Sequence, residues 1–379
     1  MLFCQLVINQ PREQHLNNLI GQPQESLDTP ALIVDLDILH SNIERMAQTI
    51  IHSAGVGWRP HTKAMKTPAL AHLCLQAGAH GITCAKLGEA EVMAAAGIKD
   101  ILIANEIVGP GKIQRLVNLC RQADVMVCVD HIDNARDIDR AAQGIGVRPR
   151  VLIEVDVGMG RAGVQPGQAT LLLAEQLAEL DYLRFAGLQT WEAHTLSTRG
   201  AEKKRLVAEA LKTLSDTAEQ IRAVGIAVDI ISCGGTGTYW ISAFAPGITE
   251  IEAGGGILCD AHYRHHFGVD HEYALKVLAT VTSRPSTTRI ICDAGFKTMG
   301  SSHGEPELVG FSELAAFKLS AEHGSITLKA PSATPRLGDR IEIIPGYSDS
   351  TVFLHDVLYG IRKGHIETVW PLLARGKLQ

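Results

Sequence analysis

Lys63 closes the run RPHTK (59–63), where an apolar stretch gives way to polar residues. A lysine desolvated at a strand end has a lowered pKa, and its amine becomes nucleophilic toward an aldehyde. The plainer alternative is a surface lysine that only snorkels. Lys66 is the comparison, since it looks like an ordinary first-turn helix lysine. Two glycine clusters, SCGGTGTY (232–239) and EAGGG (252–256), offer backbone amides to a dianion. Gly234, Gly235, Thr236, Gly237, Gly254 and Gly255 are the phosphate candidates, with a helix N-terminus expected near 237 to add its dipole. Tight turns use glycine too, so it is the pairing of two clusters that carries weight. Arg161 follows two glycines in VDVGMGRAG (155–163) and could face a ring nitrogen, pair with a carboxylate, or form a rim salt bridge. Gln189, Trp191 and His194, from LQTWEAH (188–194), could stack on a ring or move protons. Asp349, His355 and Asp356 lie close together in PGYSDSTVFLHD (345–356), with Tyr347 beside them. Such donors could hold Mg²⁺, Mn²⁺ or Zn²⁺, or the acids could simply cap a turn.

These residues need elements to place them. Short β-branched runs alternate with amphipathic stretches from 29 to about 255, which is the pattern of βαβ units. Continuous apolar runs such as DILIAN, VMVCVD and VDIISCGG suit parallel strands buried on both faces. Eight runs between 56 and 255 fill a (β/α)8 barrel, and the candidates above fall at its C-terminal strand ends, where barrel enzymes work. The glycine clusters follow strands seven and eight, the usual phosphate loops of this fold. A doubly wound open sheet competes, but no GxGxxG opens a helix after the first strand. After about 275 the texture changes to short runs with turn signals, which predicts an antiparallel β domain into which strand 31–36 pairs. The expected architecture is α/β, with a barrel over 38–270 and a β domain from 1–37 and 271–379.

Composition narrows the function. The chain has 379 residues, 35 Lys and Arg against 41 Asp and Glu, and no block of like-charged bases, so no nucleic-acid partner is expected. No segment offers about 18 uncharged apolar residues, so no membrane span is expected. The start, MLFCQLVINQPREQ, lacks the basic and apolar regions of a signal peptide. Eight cysteines, with no CxxC pair, read as buried reduced thiols, which suits a cytoplasmic protein.

Taken together, the segments RPHTKAMK, AKLGEAEVM, VDVGMGRAGVQPG, FAGLQTWEAH, SCGGTGTY, CDAHY, DAGFK and PGYSDSTVFLHD resemble the D-threonine aldolase and D-serine dehydratase family. That family lies within the alanine-racemase-like, fold type III, pyridoxal-phosphate (PLP) enzymes. The resemblance runs from TPALIVDLD (29–37) to VWPLLARGK (369–377). It implies that Lys63 carries PLP as a Schiff base and that Arg161 faces the pyridine nitrogen. It implies that Gly235, Thr236 and Gly254 help hold the phosphate, and Asp260 and Tyr263, from CDAHY, match a cofactor-side segment; His61, Gln189, Gly234, Gly237 and Gly255 stand beside them as further cofactor-binding candidates. His194 matches an active-site histidine. A homodimer with a shared active site is implied, acting on a small amino-acid substrate. The resemblance also implies a divalent metal (Mn²⁺, Mg²⁺ or Zn²⁺) near the substrate β-hydroxyl, held in the family by the histidine and the Asp or Cys of PGHxDxT or PGHxCxT. Here Tyr347 stands where that histidine would be, and Asp349 remains as the metal-ligand candidate. Met65 likewise replaces a histidine found in many relatives.

The implied reaction is retro-aldol cleavage of a D-configured β-hydroxy-α-amino acid to glycine and an aldehyde, with His194 or Tyr347 as the base. Elimination of water to a 2-oxo acid and ammonia, as by a D-serine or 3-hydroxy-D-aspartate dehydratase, is the alternative. Racemisation is a third outcome, and a PLP-binding protein without turnover is the non-enzymatic one.

Overall fold

The computed structural model describes residues 18–300 and 302–379. The readings placed on Cys4 and on the first 17 residues lie outside the described residues. Two compact units emerge. One comprises the chain up to Asn42 with Ile257–Arg264 and His271–Arg375. The other comprises Ile43–Gly256, His265–Asp270 and Gly376–Gln379.

The second unit is the barrel. Its strands are β2 (Gly57–Trp58), β3 (Ile82–Cys84), β4 (Asp100–Glu106), β5 (Asp124–Val129), β6 (Arg150–Glu154), β7 (Arg184–Gln189), β8 (Ile230–Cys233) and β9 (Glu250–Ile251), following β1 (Ala31–Asp35) of the other unit. They pair in parallel in the order β2-β9-β8-β7-β6-β5-β4-β3, and the parallel bridge His61–Thr83 closes the ring. β5 and β6 are buried almost along their length, as their unbroken apolar runs require. Leu102, Met126, Cys128, Leu152 and Ala186 form one packed cluster of the interior. β2 is short because Pro60 has no N–H to give. The ladder continues around it, with Arg59 N–H bonding Ile251 O and His61 N–H bonding Glu252 O. That extension carries the chain to Lys63. Arg59 fixes the base of this segment, donating from Nε to buried Glu250 at 3.0 Å and from Nη1 to Asp100 at 2.8 Å.

The first unit carries β1, β10 (Leu275–Ser286), β11 (Arg289–Cys292), β12 (Glu307–Leu308), β13 (Leu314–Leu319), β14 (Gly324–Leu328), β15 (Arg340–Ile344), β16 (Val357–Arg362) and β17 (His365–Pro371). Its main order is β13-β14-β11-β10-β1-β16-β17. β1 enters this sheet, as expected, and pairs antiparallel with β10. Its other neighbour, β16, runs parallel, so the sheet is mixed rather than purely antiparallel. The sequence reading missed β16, because Gly360 interrupts its apolar pattern. A Cβ at Gly360 would lie 2.5 Å from Thr368 Cγ2 and 2.9 Å from Leu36 Cδ2, so close packing of neighbours requires the glycine. Leu27, Ala31, Ile33, Leu278, Ile361 and Ile366 form a core on this sheet.

Among the described residues no helix is long and apolar enough to cross a membrane. Cys74, Cys84, Cys128, Cys233, Cys259 and Cys292 are buried thiols, and Cys120 is half-buried.

Candidate active site

His61 ends the extended β2 segment, and its Nδ1 accepts the Lys63 N–H at 3.4 Å, opening a 3₁₀ turn over Thr62–Ala64. The turn is anchored from below. The Thr62 hydroxyl donates to Glu89 Oε1 at 3.0 Å, and the Ala85 N–H donates to Glu89 Oε2 at 2.9 Å. Lys66 Nζ completes the set at 3.0 Å from Glu89 Oε1. Lys66 is therefore no first-turn helix lysine. It is buried at φ 53°, and the helix begins only at Pro68 after the Thr67 cap. The reason is Glu89, a fully buried acid that draws the ammonium inward.

Lys63 goes the other way. Its Nζ stands 4.8 Å above the Trp191 ring centre, and the Arg161 guanidinium carbon lies 5.3 Å from the same ring. Trp191 thus gathers two of the predicted residues by cation–π attraction. Arg161 also pairs with buried Glu154 at 3.1 Å, the plainest of the alternatives open to it. Burial, then the Lys63 and Lys66 cations, hold the His61 imidazole well below its ordinary pKa, so it is neutral.

Both glycine clusters abut this ring and turn. A Cβ at Gly235 would stand 2.8 Å from Trp191 Nε1, and one at Gly254 would stand 2.3 Å from the His61 carbonyl oxygen. The Gly256 N–H donates to Thr236 Oγ1 at 3.1 Å, tying one cluster to the other. The helix expected near 237 is a four-residue turn, Tyr239–Ser242, so this loop offers backbone amides without the dipole of a long helix. Two buried residues that the sequence reading passed over shape the first cluster. Glu192 accepts the Gly234 N–H at 3.3 Å and the Thr238 hydroxyl at 2.7 Å. Lys203 donates to Gly237 O at 3.0 Å and Phe267 O at 2.7 Å, and burial pushes its pKa down to about 8.

Glu106 and Glu154 end β4 and β6, and Glu252 directly follows β9. Gln189 Nε2 donates to Glu252 at 3.2 Å and Ser232 Oγ donates to it at 2.9 Å. Burial pushes the Glu252 carboxyl up to about 8. Burial and neighbouring Glu154 push Glu106 up to about 7. A carboxyl whose folded pKa is raised stabilises the fold at low pH and loses that contribution as pH climbs toward the folded value. Glu252→Gln is therefore expected to flatten the fall in stability between about pH 4.5 and about 8, a gain on the order of a few kcal/mol at the alkaline end. Urea midpoints of variant and parent across that range test it. Parallel curves for the two proteins would show that Glu252 does not titrate there.

His194 sits exposed on the 3₁₀ turn Ala193–Thr195. A Cβ at Gly158 would lie 3.2 Å from its Nε2, so the glycine loop after β6 reaches this imidazole.

The remaining candidates group in the β unit. Asp260 accepts the Tyr263 N–H and the Ser348 N–H, both at 2.7 Å, and burial pushes it up to about 7. Its two oxygens hold two backbone segments together. Asp349 takes one phenol on each oxygen, Tyr263 at 3.2 Å and Tyr347 at 3.1 Å. Burial and the Asp349 charge push both phenols up, so they remain donors. The rings of His262 and His303 stand 5.5 and 5.2 Å from Tyr347. His355 and Asp356, neighbours of Asp349 in sequence, are engaged elsewhere, His355 with Thr298 O at 2.8 Å and Asp356 with Arg375. Among the described residues no group of three His, Cys, Asp or Glu could hold a metal ion.

Comparisons with known proteins fit this layout. The family model "Alanine racemase, N-terminal domain" matches residues 34–260, and "Putative serine dehydratase domain" matches 274–361. The chain is 38% identical to a D-threonine aldolase from Arthrobacter sp, over 94% of this chain and 95% of that one. The crystal structure of D-threonine aldolase from Filomicrobium marinum superposes with a TM-score of 0.91 at 36% identity, covering 95% of this chain and 99% of that one. A D-threo-3-hydroxyaspartate dehydratase, solved as a cysteine-to-alanine mutant in the metal-free form, superposes at 0.84 with 27% identity, covering 93% and 99%.

Proposed function

This chain belongs to the D-threonine aldolase and D-serine dehydratase-like family of PLP-dependent, alanine-racemase-fold enzymes, and from that premise we propose how its own residues serve the reaction. The reaction is cleavage of the Cα–Cβ bond of D-configured β-hydroxy-α-amino acids, giving glycine and an aldehyde. One observation carries the assignment of residues. The Lys63 amine and the Arg161 guanidinium meet on one indole, and both glycine clusters press against that indole or the Lys63 turn. An amine, an aromatic platform and glycine-lined amides are the groups a phosphorylated aromatic aldehyde needs, so the residues present fit PLP.

Lys63 would hold the cofactor's aldehyde carbon, and Gly235, Thr236 and Gly254 would cradle its phosphate. Arg161, which can only donate hydrogen bonds, would leave the pyridine nitrogen unprotonated. When bound, PLP supplies an electron sink for the pair released at Cα. His194, on the turn that follows Trp191, would take the β-hydroxyl proton. As that proton leaves, the β-oxygen becomes a carbonyl and the Cα–Cβ pair stays with Cα, which then gains a proton to give glycine. A homodimer in the cytoplasm completes the proposal, from the family resemblance and the buried thiols.

Incubation with D-threonine tests the reading. Glycine and acetaldehyde are expected, from a protein whose light-scattering mass is twice that of the chain. Ammonia with a 2-oxo acid would make it a dehydratase, the reading that the likeness to D-threo-3-hydroxyaspartate dehydratase favours second.

A further inference from the structure

We propose that Asp349, Tyr263 and Tyr347 form a cation-free hydrogen-bonded triad, and that this chain works without the divalent ion its family pattern implies. The inference rests on the aldol-cleavage reading only for its catalytic half. Each oxygen of Asp349 accepts a phenol O–H, Oδ1 from Tyr263 at 3.2 Å and Oδ2 from Tyr347 at 3.1 Å. Each oxygen keeps a second lone pair, so a cation would not be shut out, but it would have to compete for the carboxylate with two O–H donors already on it. A phenol also binds a metal well only after losing its proton, which ordinarily needs a pH near 10. The carboxylate thus already accepts from two neutral phenols, and among the described residues no group of three His, Cys, Asp or Glu could hold a metal ion.

The surroundings show what one change would do. His262 and His303 already pack their rings against Tyr347, with centroids 5.5 and 5.2 Å away. An imidazole at 347 would add a nitrogen donor next to Asp349, remove one competing O–H, and have two more imidazoles within a side-chain rearrangement. The identity of residue 347 therefore acts as the switch between a hydrogen-bonded carboxylate and a metal-binding one.

Mn²⁺ is the probe. PLP-loaded protein, stripped with EDTA, is dialysed against Mn²⁺, and the bound ion is measured by electron paramagnetic resonance. The parent should retain no stoichiometric Mn²⁺, and EDTA should leave its rate of glycine release unchanged. Tyr347→His should bind one ion per chain, at least about 100-fold more tightly than the parent. One Mn²⁺ held by the parent and released in Asp349→Asn overturns the proposal, as does an EDTA loss of activity that Mn²⁺ restores. Parent binding that persists in Asp349→Asn lies at another place and leaves the triad as described. A folded Tyr347→His that binds no better than the parent overturns the switch. If that variant does not fold, the parent's own binding and EDTA response decide. A parent that releases no glycine at all refutes the aldol reading and leaves the Mn²⁺ result standing.

Discussion

Lys63→Ala is expected to lower glycine release from D-threonine by at least about 10³-fold, without unfolding the barrel. The side chain is half-buried at a strand end, with its Nζ over the Trp191 ring, while buried Glu89 pairs with Lys66. Removing it takes away the amine that anchors the cofactor aldehyde while leaving intact the contacts that hold the turn. Those contacts are the His61 cap, made with the Lys63 backbone N–H, and the Thr62–Glu89 bond. Circular dichroism should therefore match the parent. The yellow colour of the loaded protein should fade, and borohydride reduction should place the pyridoxyl label on Lys63 in the parent and on no lysine in the variant. A label on Lys66, or a variant within about ten-fold of the parent rate, would mean the wrong amine has been assigned.

The contrast between these two lysines marks how far the sequence can be read. The barrel was legible because strands buried on both faces must be continuously apolar, and runs such as VMVCV have no other good use. The strand ends then delivered Lys63, Arg161, Trp191 and the glycine clusters to one rim, because the fold places C-terminal ends together. What stayed hidden were lone charged residues whose partners come from distant segments. Glu89, Glu192 and Glu252 look like surface acids in sequence, yet each is buried and takes two or more donors, from as far as 63 residues away. Nothing in AKLGEAEVMAAA sets Glu89 apart from Glu91, two residues on, which is half-buried and pairs with Arg115. Strand β16 was lost for the opposite reason, since a glycine needed for close packing broke its pattern. The Asp349 phenols were visible as residue types, but only the fold pairs Tyr263 with a carboxylate 86 positions away.

Glu89→Ala should have the largest effect on stability of any single change near the candidate site, costing about 3–5 kcal/mol. Glu89 lies in the first turn of the helix Leu87–Ala95 and is fully buried. Its carboxylate takes an ammonium, a hydroxyl and a backbone amide. Alanine would leave the Lys66 ammonium, whose side chain is 8% exposed, without its counter-charge. That loss is a large share of the roughly 5–15 kcal/mol that holds a domain folded. The penalty comes from the stranded charge more than from the lost bonds, which gives the prediction a second arm. Adding Lys66→Met removes that charge, so Glu89→Ala with Lys66→Met should be more stable than Glu89→Ala alone. Denaturant midpoints of the parent, both single variants and the double variant form the test. A double variant no better than the single would mean that the Thr62 and Ala85 bonds, not the ion pair, dominate. Cofactor content adds a readout tied to function. Thr62 precedes Lys63 directly, so a turn released from Glu89 should hold PLP less tightly even where the barrel remains folded. Rescue of stability by Lys66→Met should not restore that affinity, because the Thr62 anchor is still missing.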